Sequence, residues 1–515
     1  MTDWIQAFFE NLKAAYMLRQ ALIIVFMFTV GFLFNRCMLP EDDREPGFIV
    51  KDDGTGVKMS VYALTLAFPV GIALFTVVSF LILLVGMDYK AVYIIAAQVI
   101  VLIVAYVWRW YRNHRVSRDL FTVKNAIVIW IVLIMAFVAC SGLIPISISN
   151  DSMYYFSWYP RTIVQFGGWR DQFDLYLTDV GQGAAIIGTL PYLFGFGETF
   201  GIQTFFNLNF VLFFAVAVLD TTGNKIATVI ISALLLVSTP FIVLGSWAMA
   251  NVYFMELFFM TAYMLFRFKR ESFGTRTVIP GLLLLACSLM RMEGGIYILF
   301  LIAAVSVIGY RARELAIAMI LPMALYLGCF TLKIYSSYTI DNPYPFLTPF
   351  KAVIQLGAMG AVAFYVLVIR RMLSERLRRS LYLVIPAGLF AVNAALFVVD
   401  RERFVANMKA FILNLFRMSG WGIFSYAVVA ITVILIIEGS FENWKLNEDE
   451  MFWIMLTVGF ALVAIAVSFA RGSNLYENIG DSGNRVMLQI VPIVVFAVTM
   501  LMRRIIDKHE TEQES

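Results

Sequence analysis

The feature that most constrains this chain is a succession of long apolar runs separated by short polar segments. About fifteen of them reach, or nearly reach, the helix length that roughly 30 Å of hydrocarbon demands. They fall near 20–38, 60–86, 89–108, 126–147, 202–220, 226–247, 251–268 and 278–291. The others lie near 294–310, 315–335, 353–370, 381–399, 411–437, 451–469 and 487–503. A chain in lipid must satisfy its own backbone N–H and C=O groups, so runs of this length predict α-helices. The expected fold is all-α, a polytopic transmembrane bundle of about 13–15 spans. Composition agrees: 61% of the 515 residues are hydrophobic and 14% charged, where a soluble domain carries about a quarter charged.

Basic residues set the expected orientation. Five lie between Arg109 and Lys124, four between Arg267 and Arg276, and five between Arg370 and Arg379. Arg311 and Arg313 occupy another turn, and Arg503, Arg504 and Lys508 follow the last run. Assigning these segments to the cytoplasm alternates with every run from 126 onward. The opposite, outer face then receives 148–201, 247–251, 336–352, 400–410 and 470–486. The first of these loops mixes apolar and polar residues in a pattern that predicts amphipathic helices lying on the surface. The first twenty residues read as an interfacial helix rather than a cleavable signal. Residues 1–108 form an N-terminal membrane extension, 109–503 the main membrane domain, and 504–515 a cytoplasmic tail.

Several chemistries are excluded. The net charge of +4 is spread between apolar runs, so no nucleic-acid surface is expected. Cys37, Cys140, Cys287 and Cys329 sit in or beside apolar runs and read as small hydrophobes. His114 and His509 both fall in basic segments, which leaves no histidine for an outer metal site or a Ser-His-Asp triad. No phosphate-binding or dinucleotide-binding glycine motif is present. No cofactor is required, and a divalent metal is optional.

Charges at membrane depth point to the site, because they usually face a cavity or one another. Asp151 follows a span directly and reads either as a general base at the membrane boundary or as the cap of a helix starting at Ser152. Tyr154 and Arg161 in the same loop are further substrate-binding candidates. Arg291 and Glu293 interrupt an apolar stretch at Gly294 and Gly295, as a functional pair or as a structural ion pair at a turn. Glu256 lies about one turn inside its span and is a cavity candidate, with snorkelling to the surface the alternative. Asp341 centres a proline- and aromatic-rich outer segment that reads as a lid or a rigid connector. Arg485 begins the last span, where a guanidinium can fork onto phosphate or bind lipid headgroups generally.

This order of features resembles the GT-C-fold membrane glycosyltransferases, which take sugars from polyprenyl-phosphate donors. The resemblance covers roughly 126–503. The family's acidic residue in the first outer loop matches Asp151. Its Arg-Pro-Glu-Gly turn matches Arg291-Met292-Glu293-Gly294, and its Arg-Tyr-x-x-Pro matches Arg485-Val486-Met487 with Gln489 and Pro492 further on. Met292 and Val486 depart from the family pattern, and Ser152 stands where a second acid is common. The resemblance implies an inverting transfer of a sugar to an outer acceptor: a cell-envelope glycan, a teichoic-type polymer or a protein. Asp151 would be the base, while Arg291 and Arg485 would hold the donor phosphate. A short acidic tail and the lack of an organellar signal make a bacterial plasma membrane, crossed many times, the default location. The alternatives are a transporter or lipid flippase, and a polysaccharide polymerase or ligase using a lipid-diphosphate glycan.

Overall fold

The computed structural model describes residues 14–39, 57–111, 123–141, 157–169, 181–195, 201–247, 249–291, 294–305, 307–308, 310–320, 349–438, 447–471 and 481–514. Among these residues the fold is all-α, with no strand. Helix α1 spans Ala14–Met38, α2 Met59–Thr65, α3 Ala67–Val85, α4 Ala91–Tyr111 and α5 Val123–Cys140. Next come α6 Tyr159–Phe166, α7 Gly183–Leu193, α8 Gly201–Thr222, α9 Lys225–Val237, α10 Thr239–Gly245 and α11 Ala250–Arg267. The chain continues with α12 Ile279–Met290, α13 Gly294–Val305, α14 Pro349–Phe364, α15 Glu375–Val399 and α16 Arg401–Phe416. The last are α17 Gly422–Glu438, α18 Glu448–Arg471, α19 Ser482–Leu488 and α20 Val491–Glu514.

Among the described residues, seven helices are long and apolar enough to cross a membrane, or eight if one bent pair is a single span. This is a polytopic helix bundle. Several expected spans are shorter or broken. The run at 226–247 is two helices, α9 and α10, bent by 69°. Ser238 interrupts it, accepting from Phe241 N at 3.3 Å to cap the second piece, whose second residue is Pro240. The run expected at 411–437 is also two elements. The helix α16 begins with three charges in Arg401-Glu402-Arg403 and ends at Phe416, and α17 starts only at Gly422.

The first outer loop yields two different helices. In α6 Tyr159, Pro160, Thr162 and Ile163 are buried while Arg161 and Phe166 are exposed, the amphipathic surface arrangement expected. Helix α7 is instead buried from Gly183 to Pro191. Its small and apolar residues let it enter the bundle, packing on α3 and α12, where Thr189 shares a 2.7 Å hydrogen bond with Tyr89. The N-terminal helices belong to the same continuous core, which runs from Ala21 to Met500. Gly31 and Gly71 let α1 and α3 touch backbone to backbone. A Cβ on Gly31 would stand 1.8 Å from Ala67 O, so no larger residue fits there.

The bundle has two distinct polar ends. At one, the basic segments connect through a chain of contacts. Arg109 donates to the carbonyls of Arg36 and Leu39, and Thr275 donates to Met38 O at 3.2 Å. Arg276 pairs with Glu314 at 2.6 Å, and the Arg370 guanidinium reaches the carbonyls of Ile308 and Tyr310. Lys269 pairs with Asp449 and Arg504 with Glu450, at 3.0 and 3.7 Å. All five basic segments therefore meet at a single end, as the alternation predicts. Asp220 anchors that end. Its carboxylate accepts from Val57 N (2.8 Å), Tyr62 Oη (2.8 Å), Tyr263 Oη (2.9 Å) and the Arg267 guanidinium.

Candidate functional site

The opposite end gathers three of the residues singled out for chemistry, Arg291, Arg485 and Glu256. Helix α12 stops at Met290, and Arg291 leaves it in an extended conformation, φ −147° and ψ 135°. This turns the arginine out of the helix path. Its Nη1 donates to Asn251 Oδ1 at 3.2 Å, in the first turn of α11. The Asn251 amide in turn donates to the backbone carbonyl of Arg485, on α19, at 3.3 Å. A single buried asparagine thus stitches together two arginine-bearing segments separated by 193 intervening residues of chain.

The first outer loop closes on the same point. Gly181 has φ +93°, a backbone state suited to glycine, and packs directly on the α12 terminus. A Cβ there would stand 2.5 Å from Met290 O and 2.8 Å from Arg291 N. The next residue, Gln182, is buried, with its Oε1 unbonded among the described residues. On the other flank, Asn484 accepts from Asn414 Nδ2 (2.6 Å) and Trp421 Nε1 (2.8 Å), fixing the residue beside Arg485. This same contact accounts for the break between α16 and α17. Gly420 passes so close to Asn414 O that a Cβ would stand 2.5 Å from it.

Two further groups lie deeper. Glu256, in the second turn of α11, is 0% exposed, so it does not snorkel. Neither of its oxygens has a hydrogen-bond partner among the described residues. Gln489 is 1% exposed, and neither its amide nitrogen nor its amide oxygen is bonded among the described residues. Leaving such groups buried and unbonded costs about 1–3 kcal/mol apiece, more when charged.

Of the residues named from sequence, Arg291, Arg485 and Glu256 belong to this end. Arg161 is on the exposed face of α6, pointing away from that helix's buried side. Asp151, Tyr154, Glu293 and Asp341 lie outside the described residues. Sequence reasoning passed over Asn251, Gln182 and Asn484, because it searched for charges in apolar runs and not for neutral amides. Among the described residues, no group of three or more His, Cys, Asp and Glu side chains is placed to hold a metal ion. The chain matches no family model, and no curated protein or solved structure is significantly similar to it.

Proposed function

We propose that this protein is a membrane glycosyltransferase that moves a sugar from a polyprenyl-phosphate donor to an acceptor on the outer side of a bacterial plasma membrane. The carrying observation is the Arg291–Asn251–Arg485 link, which joins two cationic segments at the end opposite the basic loops. In this reading both guanidiniums address the donor phosphate, for which arginine's planar fork is suited. Asp151 takes the proton of the acceptor hydroxyl as its oxygen bonds to the anomeric carbon. The bond from that carbon to the phosphate oxygen breaks on the opposite face, the sugar inverts, and polyprenyl phosphate leaves with the electron pair. Cationic stabilisation of such a leaving group is commonly a dominant catalytic contribution.

Purified protein in lipid, given radiolabelled polyprenyl-phosphate sugar and cell-envelope glycan, should release polyprenyl phosphate and label the acceptor. No release with any sugar tried, but release from a lipid-diphosphate glycan, would move the assignment to a polymerase or ligase. The side of the membrane is tested separately with Gln172→Cys and Ser374→Cys. An impermeant thiol reagent should label only the first in intact cells.

One observation favours a second reading. The 69° break between α9 and α10 is the kind of discontinuous helix that lines substrate paths in transporters. Flux of lipid-linked sugar across proteoliposomes, without chemical transfer, would select that reading.

A further inference from the structure

Glu256 lies on α11, and Gln489 lies in the short turn between α19 and α20, both of which pack on α11. Helices α11 and α20 both run from the arginine-bearing end toward the basic end. Helix α11 is tied above to Arg485 of α19 through Asn251 and below to Phe496 of α20, whose ring meets Tyr263 at 5.5 Å and Phe259 at 5.6 Å. Glu256 precedes Tyr263 by seven residues, and Gln489 precedes Phe496 by seven. Each polar residue therefore lies, along its own segment, between the upper tie and the ring contact below it. At a rise of 1.5 Å per residue, Glu256 stands about 10 Å above that ring contact. Measured from the upper tie, Glu256 is about 7 Å below Asn251 and Gln489 about 6 Å below Arg485. Gln182, beside Gly181 at the Arg291 terminus, adds a further buried amide at this end.

We infer that Glu256 and Gln489 form the sugar-recognition subsite of the donor site, binding ring hydroxyls of a neutral monosaccharide carried on a lipid phosphate. The inference rests on the glycosyltransferase reading above. A sugar diol offers both donors and acceptors, and the carboxyl and amide supply the complements. A hard cation suits the pair less well, since it takes six to eight oxygen ligands and these two side chains provide three. The depth also fits. The phosphate would sit at the arginines, and the sugar directly below it, between α11 and α20.

The test uses purified full-length protein in lipid nanodiscs and the variants Glu256→Leu and Gln489→Leu. Affinities are measured for bare polyprenyl phosphate and for polyprenyl-phosphate mannose, glucose, galactose and arabinose. Wild type should prefer one sugar-bearing lipid over the bare one. Each variant should lose about tenfold of that preference, the worth of a typical hydrogen bond, while binding the bare lipid unchanged. The melting temperature without ligand should hold or rise, because leucine removes a buried group that has no hydrogen-bond partner among the described residues. Glu256→Gln keeps the shape and controls for folding. Unaltered sugar preference in both leucine variants, in a protein that transfers sugar, would overturn the subsite and leave the enzyme assignment standing. Stabilisation of wild type by sodium chloride but not choline chloride, lost in Glu256→Leu, would overturn it in favour of a cation site. A wild type that neither binds nor transfers any of these donors removes the enzyme reading, and the subsite falls with it.

Discussion

Two buried carboxylates, Asp220 at the basic end and Glu256 at the arginine-bearing end, are treated in opposite ways. At the basic end, Asp220 accepts from one backbone amide, two phenols and a guanidinium. Single atoms there, such as Arg276 Nε and Glu314 Oε2, lack a bond among the described residues, yet both residues keep an ion pair. At the arginine-bearing end, Glu256 and Gln489 have no hydrogen bond from their side chains among the described residues. A satisfied buried network holds one arrangement rigidly, whereas groups left unsatisfied raise the free energy of the empty protein. The first is what a clamp requires. The second fits the ligand site proposed above.

That division is open to direct attack. Asp151→Asn should lower turnover at saturating donor by about 10²–10⁴-fold with the melting temperature unchanged. Asn can still accept a hydrogen bond as a helix cap, so wild-type turnover would show that Asp151 only caps. Asp220→Ala should do the reverse. It strands Arg267 beside an emptied carboxylate site and should cost about 3 kcal/mol, the low end for a broken buried pair because the Arg267 side chain is 33% exposed. Thermal unfolding in detergent reads the loss, and the folded fraction should keep its turnover per molecule. Equal damage to turnover would erase the distinction between the ends.

Gly181→Ala sharpens the comparison at the site end. The left-handed backbone and the 2.5 Å approach to Met290 O leave no room for a methyl group. The strain should cost about 1–3 kcal/mol, and relief by movement of the Arg291 terminus should weaken donor binding. A change in stability with donor affinity intact would mean that Gly181 does not position Arg291. The smallest effect is expected from Tyr263→Phe, which deletes the hydroxyl between Asp220 and Tyr62. Asp220 keeps its other donors, so about 0.5–1.5 kcal/mol should be lost, with no change in donor affinity.

Much of this architecture is readable in the chain. Apolar runs predict most of the helices, and alternating basic segments predict which ends lie together, because desolvation in lipid forces both choices locally. The reading fails where a neighbour decides. Residues 411–437 look like one span, but Asn414 bonds Asn484 and the chain turns at Gly420. Helix α7 comes from a loop expected to lie on the surface, yet it is small and apolar enough to be taken into the bundle.

The site divides in the same way. Sequence by itself determined that Arg291, Arg485 and Glu256 needed an explanation, since a charge in an apolar run is costly wherever it ends up. Tertiary structure alone decided their partners. An amide such as Asn251 or Gln489 costs too little in isolation to stand out in a sequence. Its role appears only when packing takes away water and either supplies a partner, as Arg291 and the Arg485 carbonyl do for Asn251, or withholds one, as at Gln489.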